Sequence, residues 1–134
     1  RGLNEIPMDR FRPNIVIKTD LNEAWIEDRI SRLTLVPKGV DNLKIDTLEN
    51  NKLLTLYLTH PCARCQIPTI DQETGIRNKN HEPTLTLRKF RSGKRLGFEE
   101  SKHEDVFFGV NAIHDKFDAT TAISRGDCML AFFK

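Results

Sequence analysis

Apolar residues at every second position mark the clearest β-strand of the chain. In Leu53–Thr59, Leu54, Leu56 and Leu58 alternate with threonine and tyrosine, and this period of two places the leucines on one face of an extended segment. Other short segments rich in β-branched, aromatic or aliphatic residues predict further strands. They are Asn14–Lys18, Arg32–Val36, Leu43–Leu48, Gln66–Ile70, Val106–Val110 and Cys128–Phe133. The pair Asn50–Asn51 suits a tight turn between the predicted strands Leu43–Leu48 and Leu53–Thr59.

The segment Pro83–Arg91 predicts the best-defined α-helix. Proline is common at the first helical position, and Glu82 favours the positive N-terminal end of the helix dipole. Three basic residues in its last turns favour the opposite end, and Gly93 follows as a stop signal. Leu21–Ile30, which holds Trp25 among acidic residues, predicts a short helix or helical turn. Six or seven short strands with one or two short helices indicate a mainly β fold, either a barrel or a sandwich.

Size and charge narrow the function classes. The 134 residues fit one domain, and the net charge of +2 argues against a dedicated nucleic-acid binder. No apolar run is long enough for a membrane span, and no secretory leader opens the sequence. Because the sequence begins with Arg1 rather than Met, we expect a fragment or a processed product. The basic stretch Arg77–Arg95 is interpreted as a solvated face that lies near an anionic cofactor or partner.

Cysteine usage supplies the first candidate chemistry. The chain has three cysteines, Cys62, Cys65 and Cys128, and this odd, low count favours a reducing compartment over a disulfide scaffold. We expect the loop His60–Cys65 at the end of a buried strand. The charge of Arg64 beside Cys65 favours the thiolate form, which is both the nucleophile and the metal ligand. This loop therefore predicts a reactive or metal-binding sulfur.

Three other interpretations of the cysteine pair remain open at this point. Both side chains can be small buried hydrophobic residues. A thioredoxin-like redox pair needs a helix that starts at the second cysteine, and Pro68 argues against one. A zinc site needs about four ligands. Cys62 and Cys65 supply two and His60 and His81 could add two more, but the second half of the chain shows no paired ligand spacing.

Two arginines flank an aromatic residue near the start of the sequence, in Arg10-Phe11-Arg12-Pro13-Asn14. Arginine side chains bind phosphate groups with two parallel hydrogen bonds, and Asn14 can donate and accept toward a polar heterocycle. Pro13 restricts the backbone ahead of the predicted strand. Taken alone, the segment favours a solvated basic turn over a binding site.

Six blocks in a fixed order carry a resemblance to a known family. They are RFRPNIVI, an acidic stretch with Trp25, PCARCQIPTIDQETG, EPTLTLRKFR, FFGVNA and ISRGDCMLAF. The chain resembles the MOSC domain, the C-terminal domain of molybdenum cofactor sulfurases, which also occurs in the mitochondrial amidoxime-reducing component. It is similar to YcbX-type proteins as well. The resemblance runs from about Arg10 to Phe133.

The resemblance implies a fold, a cofactor and a set of site residues. It implies a MOSC-type β-barrel with one or two short helices over residues 1–134, and a Mo-molybdopterin cofactor. Cys65 is then the molybdenum ligand and the catalytic residue, a role that suits a soft thiolate. The implied cofactor-binding residues are Arg10, Arg12, Asn14, Ala63 and Arg64. Cys62 is interpreted as a support for the loop or a small apolar filler, and Cys128 as a core residue.

The chain also departs from the family pattern. Ala63 stands where many relatives carry serine, so that a backbone N–H has to replace the hydroxyl. Val36–Leu48 is interpreted as an insertion. The family commonly has a smaller β-rich domain upstream that contributes cofactor contacts, and we expect it to precede this fragment in the full protein.

Three functions follow as expectations. The first is an oxidoreductase that reduces N-hydroxylated small molecules with electrons from a partner protein. The second is a cofactor-carrier or maturation domain of a molybdenum cofactor sulfurase, which has a pyridoxal-phosphate domain upstream. The third is a module that binds an anionic partner through Arg77–Arg95. The expected compartment is the cytoplasm or the mitochondrion, which are both reducing.

Overall fold

The structure is a computed structural model that describes residues 6–19, 23–36, 53–114 and 122–134. The chain divides into two compact units. Unit 1 consists of Arg1–Asn22 and Pro61–Gly109, and unit 2 consists of Glu23–His60 and Val110–Lys134. Every predicted site residue belongs to unit 1.

Four strands form one antiparallel sheet in the order β3-β2-β1-β4. The strands are β1 (Ile30–Val36), β2 (Thr55–Ala63), β3 (Phe107–His114) and β4 (Cys128–Phe133). β1 pairs with β2 through Leu33↔Leu56 and with β4 through Leu33↔Ala131. The strands β2 and β3 each begin in one unit and end in the other.

The core of unit 2 forms around β1, the strand with partners on both sides. Ile30, Leu33, Leu35 and Val36 of this strand are all buried. The polar Thr34 is also buried, and its Oγ1 lies 3.3 Å from Oγ1 of Thr55 on β2. This hydroxyl pair satisfies the polar groups inside the sheet.

Two short helices, α1 (Thr84–Arg91) and α2 (Gly93–Leu96), form most of the regular structure of unit 1 outside the strands. Leu87 of α1 is buried, and so is Arg91, whose Nε donates to the carbonyl oxygen of Phe107 at 3.3 Å. Phe107 also contacts Phe98, with 4.7 Å between the ring centroids. Unit 1 therefore packs its helices against the start of β3.

The structure also describes four short 3-10 helices. In unit 1 they are Met8–Phe11, Ile67–Thr69 and Glu100–Lys102, and in unit 2 Ile26–Arg29. None of the helices within the described ranges is long and apolar enough to cross a membrane.

Several sequence predictions of elements are confirmed. The helix predicted over Pro83–Arg91 runs from Thr84 to Arg91, and Pro83 precedes its first residue. The predicted role of Glu82 at the helix start is confirmed as well, since its carboxylate accepts the backbone N–H of Thr86 at 3.1 Å and the hydroxyl at 2.9 Å. Strands lie where they were predicted over Arg32–Val36, Leu53–Thr59, Val106–Val110 and Cys128–Phe133, within a few residues at their ends.

Other predictions of elements are wrong. Asn14–Lys18 is exposed and forms no strand. Gln66–Ile70 forms the 3-10 turn Ile67–Thr69 instead of a strand, because Pro68 lacks the N–H that a strand ladder needs. Of the predicted helix Leu21–Ile30, the described part contains only the 3-10 turn Ile26–Arg29. The expected loop His60–Cys65 is shorter, because β2 continues through Ala63.

The mainly β class with two short helices is confirmed, whereas closure of the sheet is not. The four described strands form an open sheet, with β3 and β4 at its two ends. The interpretation of Cys128 as a core residue is wrong, because this cysteine is exposed on the end strand β4. Three predictions lie outside the described residues. They are the strand Leu43–Leu48, the turn Asn50–Asn51 and the part of the insertion Val36–Leu48 that follows Val36.

Gly93 connects the helices of unit 1 to the segment before β3. Its N–H donates to the carbonyl oxygen of Asp105 at 2.9 Å. The neighbouring Ser92 forms an isolated β-bridge with Val106. A Cβ atom at Gly93 would lie 1.9 Å from the carbonyl oxygen of Lys102. Position 93 thus has no room for a side chain.

We expect Gly93→Ala to lower the free energy of unfolding by about 3 kcal/mol or more, because backbone atoms have to move to admit the methyl group. The measurement is urea unfolding of both proteins. Gly97→Ala is the matched control, because position 97 has open space but a φ of +77°, a conformation that costs an alanine about 1–2 kcal/mol. Equal losses for the two variants would contradict the close approach at Gly93.

Candidate functional site

At the end of the turn Met8–Phe11, the aromatic Phe11 points inward and the basic Arg12 that follows it points outward. Phe11 is buried, whereas the next residue, Arg12, is exposed and adopts a left-handed conformation with φ 49°. The N–H of Arg12 donates to the carbonyl oxygen of Asp9 at 2.8 Å and closes the turn. A non-glycine residue in this conformation costs on the order of 1 kcal/mol or more, so the turn depends on its other contacts.

Phe11 anchors the turn through aromatic stacking. Its ring lies on the ring of Phe108 in β3, with 3.8 Å between the centroids and 13° between the planes. The guanidinium carbon of Arg64 lies 5.6 Å from the centroid of the same Phe11 ring, within the range of a cation–π interaction. Phe11 therefore contacts both β3 and the segment that follows β2.

Arg64 is held by its backbone and by its side chain. Its backbone N–H donates to the carbonyl oxygen of Val106 at 2.7 Å. Its Nη2 donates to the carbonyl oxygen of Phe11, and its Nη1 donates to Sγ of Cys62 at 3.2 Å. The bond to Phe11 joins residues that are 53 positions apart in the sequence. The end of β2 and the turn Met8–Phe11 are thereby fixed to each other.

Arg10 makes a second connection within unit 1, between the turn Met8–Phe11 and Asp71. Its Nη2 lies 2.8 Å from Oδ2 of Asp71, in an ion pair with side chains 15% and 37% exposed. Oδ1 of Asp71 accepts the backbone N–H and the hydroxyl of Thr74, each at 2.9 Å, and the N–H of Glu73 at 3.2 Å. These hydrogen bonds from Thr74, with smaller contributions from Glu73 and the charge of Arg10, lower the pKa of Asp71.

Cys65 presents its sulfur to solvent just beyond β2. The side chain is exposed, and Sγ accepts the backbone N–H of Ile67 at 3.5 Å. Pro68 and Thr69, which follow in the same 3-10 turn, are almost fully buried and fix that turn in unit 1. The hydrogen bond from Ile67 connects the sulfur of Cys65 to this turn.

The structure brings together some of the predicted site residues. Arg10 and Arg64 both connect the turn Met8–Phe11 to the segment after β2, through Asp71 and through the carbonyl oxygen of Phe11. Arg12, Asn14 and Ala63 are exposed on the same two segments. The predicted charge effect of Arg64 on Cys65 stays a prediction, since the guanidinium of Arg64 donates to Cys62 and Phe11 instead.

Sequence reasoning missed three residues that organise this site. Phe11, Phe108 and Asp71 were not singled out, although each lies in one of the six sequence blocks. A phenylalanine between two arginines was the available signal for Phe11, because a buried aromatic ring often packs under a guanidinium group. The pairing of Asp71 with Arg10 depends on a contact across 61 residues of sequence, which a local pattern does not contain.

Both arginines keep an unused hydrogen-bond donor. The Nε atoms of Arg10 and Arg64 are shielded from solvent, and neither has a hydrogen-bond partner in the described part of the chain. A buried donor without an acceptor costs about 1–3 kcal/mol. An anionic ligand whose oxygens reached these groups would recover that cost, so the two arginines fit a phosphate or a similar anion.

A multi-ligand metal site is not formed by the part of the chain that the structure describes. No group of three or more histidine, cysteine, aspartate or glutamate side chains among these residues can hold a metal ion. His60, which the zinc interpretation needs, has its Nε2 3.1 Å from the side-chain nitrogen of Asn111. A metal that is bound through one sulfur and through a cofactor's own ligands does not need such a group.

Comparison with known proteins identifies similar sequences. The sequence model described as "MOSC domain" matches residues 1–129. The chain is 34% identical to a "Molybdenum cofactor sulfurase" of Aspergillus niger over 100 residues, which cover 69% of this chain and 10% of that protein. It is 34% identical to a protein of the same name from Aspergillus terreus over 116 residues, or 81% of this chain and 12% of that protein.

No solved structure matches the chain. The chain spans about a tenth of the length of the curated relatives that it matches.

We expect Asp71→Asn to lower the free energy of unfolding at neutral pH and to have a smaller effect in acid. Asp71 has a lowered pKa in the folded protein, so its stabilisation is present above the unfolded value of about 3.9 and is lost as the pH falls through the folded value. Urea unfolding at about pH 7 and at pH values below about 4 measures the difference between the two proteins.

Glu73→Gln is the control for this measurement, because Glu73 contributes its backbone N–H rather than its side chain to the turn. A difference between wild type and Asp71→Asn that stays constant over the whole pH range would contradict a charged, hydrogen-bonded Asp71.

Proposed function

The chain belongs to the MOSC domain family, and on this basis we propose that it binds the molybdenum cofactor through unit 1, as one domain of a larger protein. The observation that carries the proposal is that Arg64, which directly precedes Cys65, contacts Phe11, while Arg10 of the same turn pairs with Asp71. An exposed sulfur and two arginines with unused donors are the groups that a phosphorylated metal–pterin needs.

Cys65 is the proposed molybdenum ligand and catalytic residue. Its sulfur is exposed and accepts one N–H bond, so that a metal can approach it without a change in the core. A soft sulfur ligand suits molybdenum in a sulfur-rich environment. When bound, the cofactor supplies a redox-active metal centre at this sulfur. The contribution of the chain is to fix the position of the sulfur through the 3-10 turn Ile67–Thr69, in which Pro68 and Thr69 are buried.

The proposed cofactor-binding residues fall into two groups. Arg10 and Arg64 supply positive charge and the two unused Nε–H donors beside Phe11, and guanidinium groups of this kind bind a phosphate strongly. Arg12, Asn14 and Ala63 are exposed on the same segments, and the proposed further donors are the two side chains and the backbone N–H of Ala63. In this arrangement the arginines hold the anionic end of the cofactor and Cys65 holds the metal.

A role in a molybdenum cofactor sulfurase is the first candidate for the whole protein. Both relatives carry that name, and the chain matches a tenth of each. In this role the domain holds the cofactor while another domain, with pyridoxal phosphate, supplies sulfur. A β-rich domain upstream of this chain completes the cofactor site and the family's barrel in the same proposal.

An oxidoreductase that acts on N-hydroxylated small molecules is the second candidate. The exposure of the Cys65 sulfur favours it, because a substrate then has access to the metal side of the ligand. Electrons come from a partner protein in this proposal. Reduction of an N-hydroxylated compound by the purified full chain with a chemical reductant would support this candidate, whereas transfer of sulfur to the cofactor of a second protein would support the first.

We expect Cys65→Ser to reduce the molybdenum bound per chain at least about tenfold, since a loss of only ~1.4 kcal/mol of binding free energy gives that factor. The full chain is produced in a host that makes the cofactor, and metal analysis and pterin fluorescence give the content of each protein.

Cys128→Ser is the matched control, because Cys128 is an exposed cysteine on β4 in unit 2. We expect it to retain the molybdenum content of the wild type. A wild-type content in Cys65→Ser would overturn the assignment of the ligand, and a wild-type chain without molybdenum or pterin would overturn the proposed function itself.

A further inference from the structure

The other cysteine of the pair, Cys62, has a different set of contacts from Cys65. We propose that Cys62 is a positioning residue that orients the guanidinium of Arg64 toward an anionic ligand group; this inference rests on the proposed function. Cys62 is half-buried within β2, and Arg64 follows that strand directly. The two side chains touch, although one residue separates them in the sequence.

Both hydrogen-bonding capacities of the Cys62 thiol are used inside unit 1. Its Sγ accepts Nη1 of Arg64 at 3.2 Å, and its S–H lies 3.7 Å from the carbonyl oxygen of Ala63, to which it donates. A thiol has one weak donor and a weak acceptor. Cys62 would therefore have to give up both contacts to bind a metal, whereas the sulfur of Cys65 faces solvent.

The contact with Cys62 fixes the orientation of the guanidinium plane of Arg64, which the hydrogen bond to Phe11 leaves free to rotate. The bond from Nη2 to the carbonyl oxygen of Phe11 holds one corner of the guanidinium, and rotation about that corner would remain without a second acceptor. Because the group is planar and rigid, the second bond, from Nη1 to Sγ of Cys62, sets the orientation of its plane. That plane in turn determines the direction of the Nε–H group, which has no hydrogen-bond partner among the described residues.

A division of labour between the two cysteines follows from these contacts. The sulfur of Cys65 binds the metal, and Cys62 orients the guanidinium of Arg64 toward the anionic part of the same ligand. Preorganisation of this kind raises affinity, because the protein does not have to order the side chain when the ligand arrives.

The test compares Cys62→Ser with Cys62→Val in the full chain. Serine can donate to Ala63 and accept from Arg64, whereas valine fills a similar volume and can do neither. We expect Cys62→Ser to hold molybdenum and pterin close to the wild-type level, and Cys62→Val to bind the cofactor about tenfold more weakly, since a hydrogen bond to a charged group contributes about that factor. If only the volume of the side chain matters, Cys62→Val should hold more cofactor than Cys62→Ser.

A second measurement does not depend on the cofactor. In cofactor-free full chain labelled with isotopic arginine, NMR gives the rate of rotation of the Arg64 guanidinium about its Nε–Cζ bond, with Arg64→Lys used to assign the signal. We expect slow rotation in the wild type and in Cys62→Ser, and faster rotation in Cys62→Val. Equal rotation rates in the three proteins, or equal cofactor content in Cys62→Val and the wild type, would overturn the proposal.

The two measurements separate failure of this inference from failure of the proposed function. A wild-type chain that holds no molybdenum or pterin overturns the proposed function, and with it the role of Cys62 toward that cofactor, whatever the rotation rates show. A wild-type chain that holds both, with Cys62→Val unchanged, overturns only the inference about Cys62.

Discussion

The hydrogen bonds of the Arg64 guanidinium are the interaction on which the candidate site depends. They join Cys62 to the carbonyl oxygen of Phe11, 53 residues from Arg64 in the sequence. Without them, the turn Met8–Phe11 would be held mainly by the Phe11–Phe108 stack and by the Arg10–Asp71 ion pair, which is partly exposed. Partly exposed ion pairs contribute little on their own. The buried ring and the guanidinium that covers it therefore act together.

The regular elements followed from local patterns, and the failures have identifiable physical causes. The two-residue period of Leu53–Thr59 predicted β2 and the charge distribution of Pro83–Arg91 predicted α1, because both signals lie within the element itself. Pro68 removed a donor from the Gln66–Ile70 segment and produced a 3-10 turn. Asn14–Lys18 has the composition of a strand, but a strand forms only where a partner strand is available.

The candidate site was predictable in its residues but not in its contacts. Family resemblance pointed to Cys65 and to the arginines, and nothing in the sequence indicated that Arg64 contacts Cys62 and Phe11. Contacts across more than fifty positions depend on the packing of the whole unit, which a local pattern does not contain. The burial of Phe11 and the pairing of Arg10 with Asp71 are of the same kind.

Arg64 binds the main-chain oxygen of Phe11 rather than its side chain, and this distinction has an evolutionary consequence. Every amino acid supplies a carbonyl oxygen, so drift at position 11 preserves that bond as long as the turn survives. The stacked rings impose a separate constraint, and positions 11 and 108 should covary as aromatic pairs among homologous proteins. Position 62 should vary independently of both and remain restricted to small residues that can donate and accept a hydrogen bond.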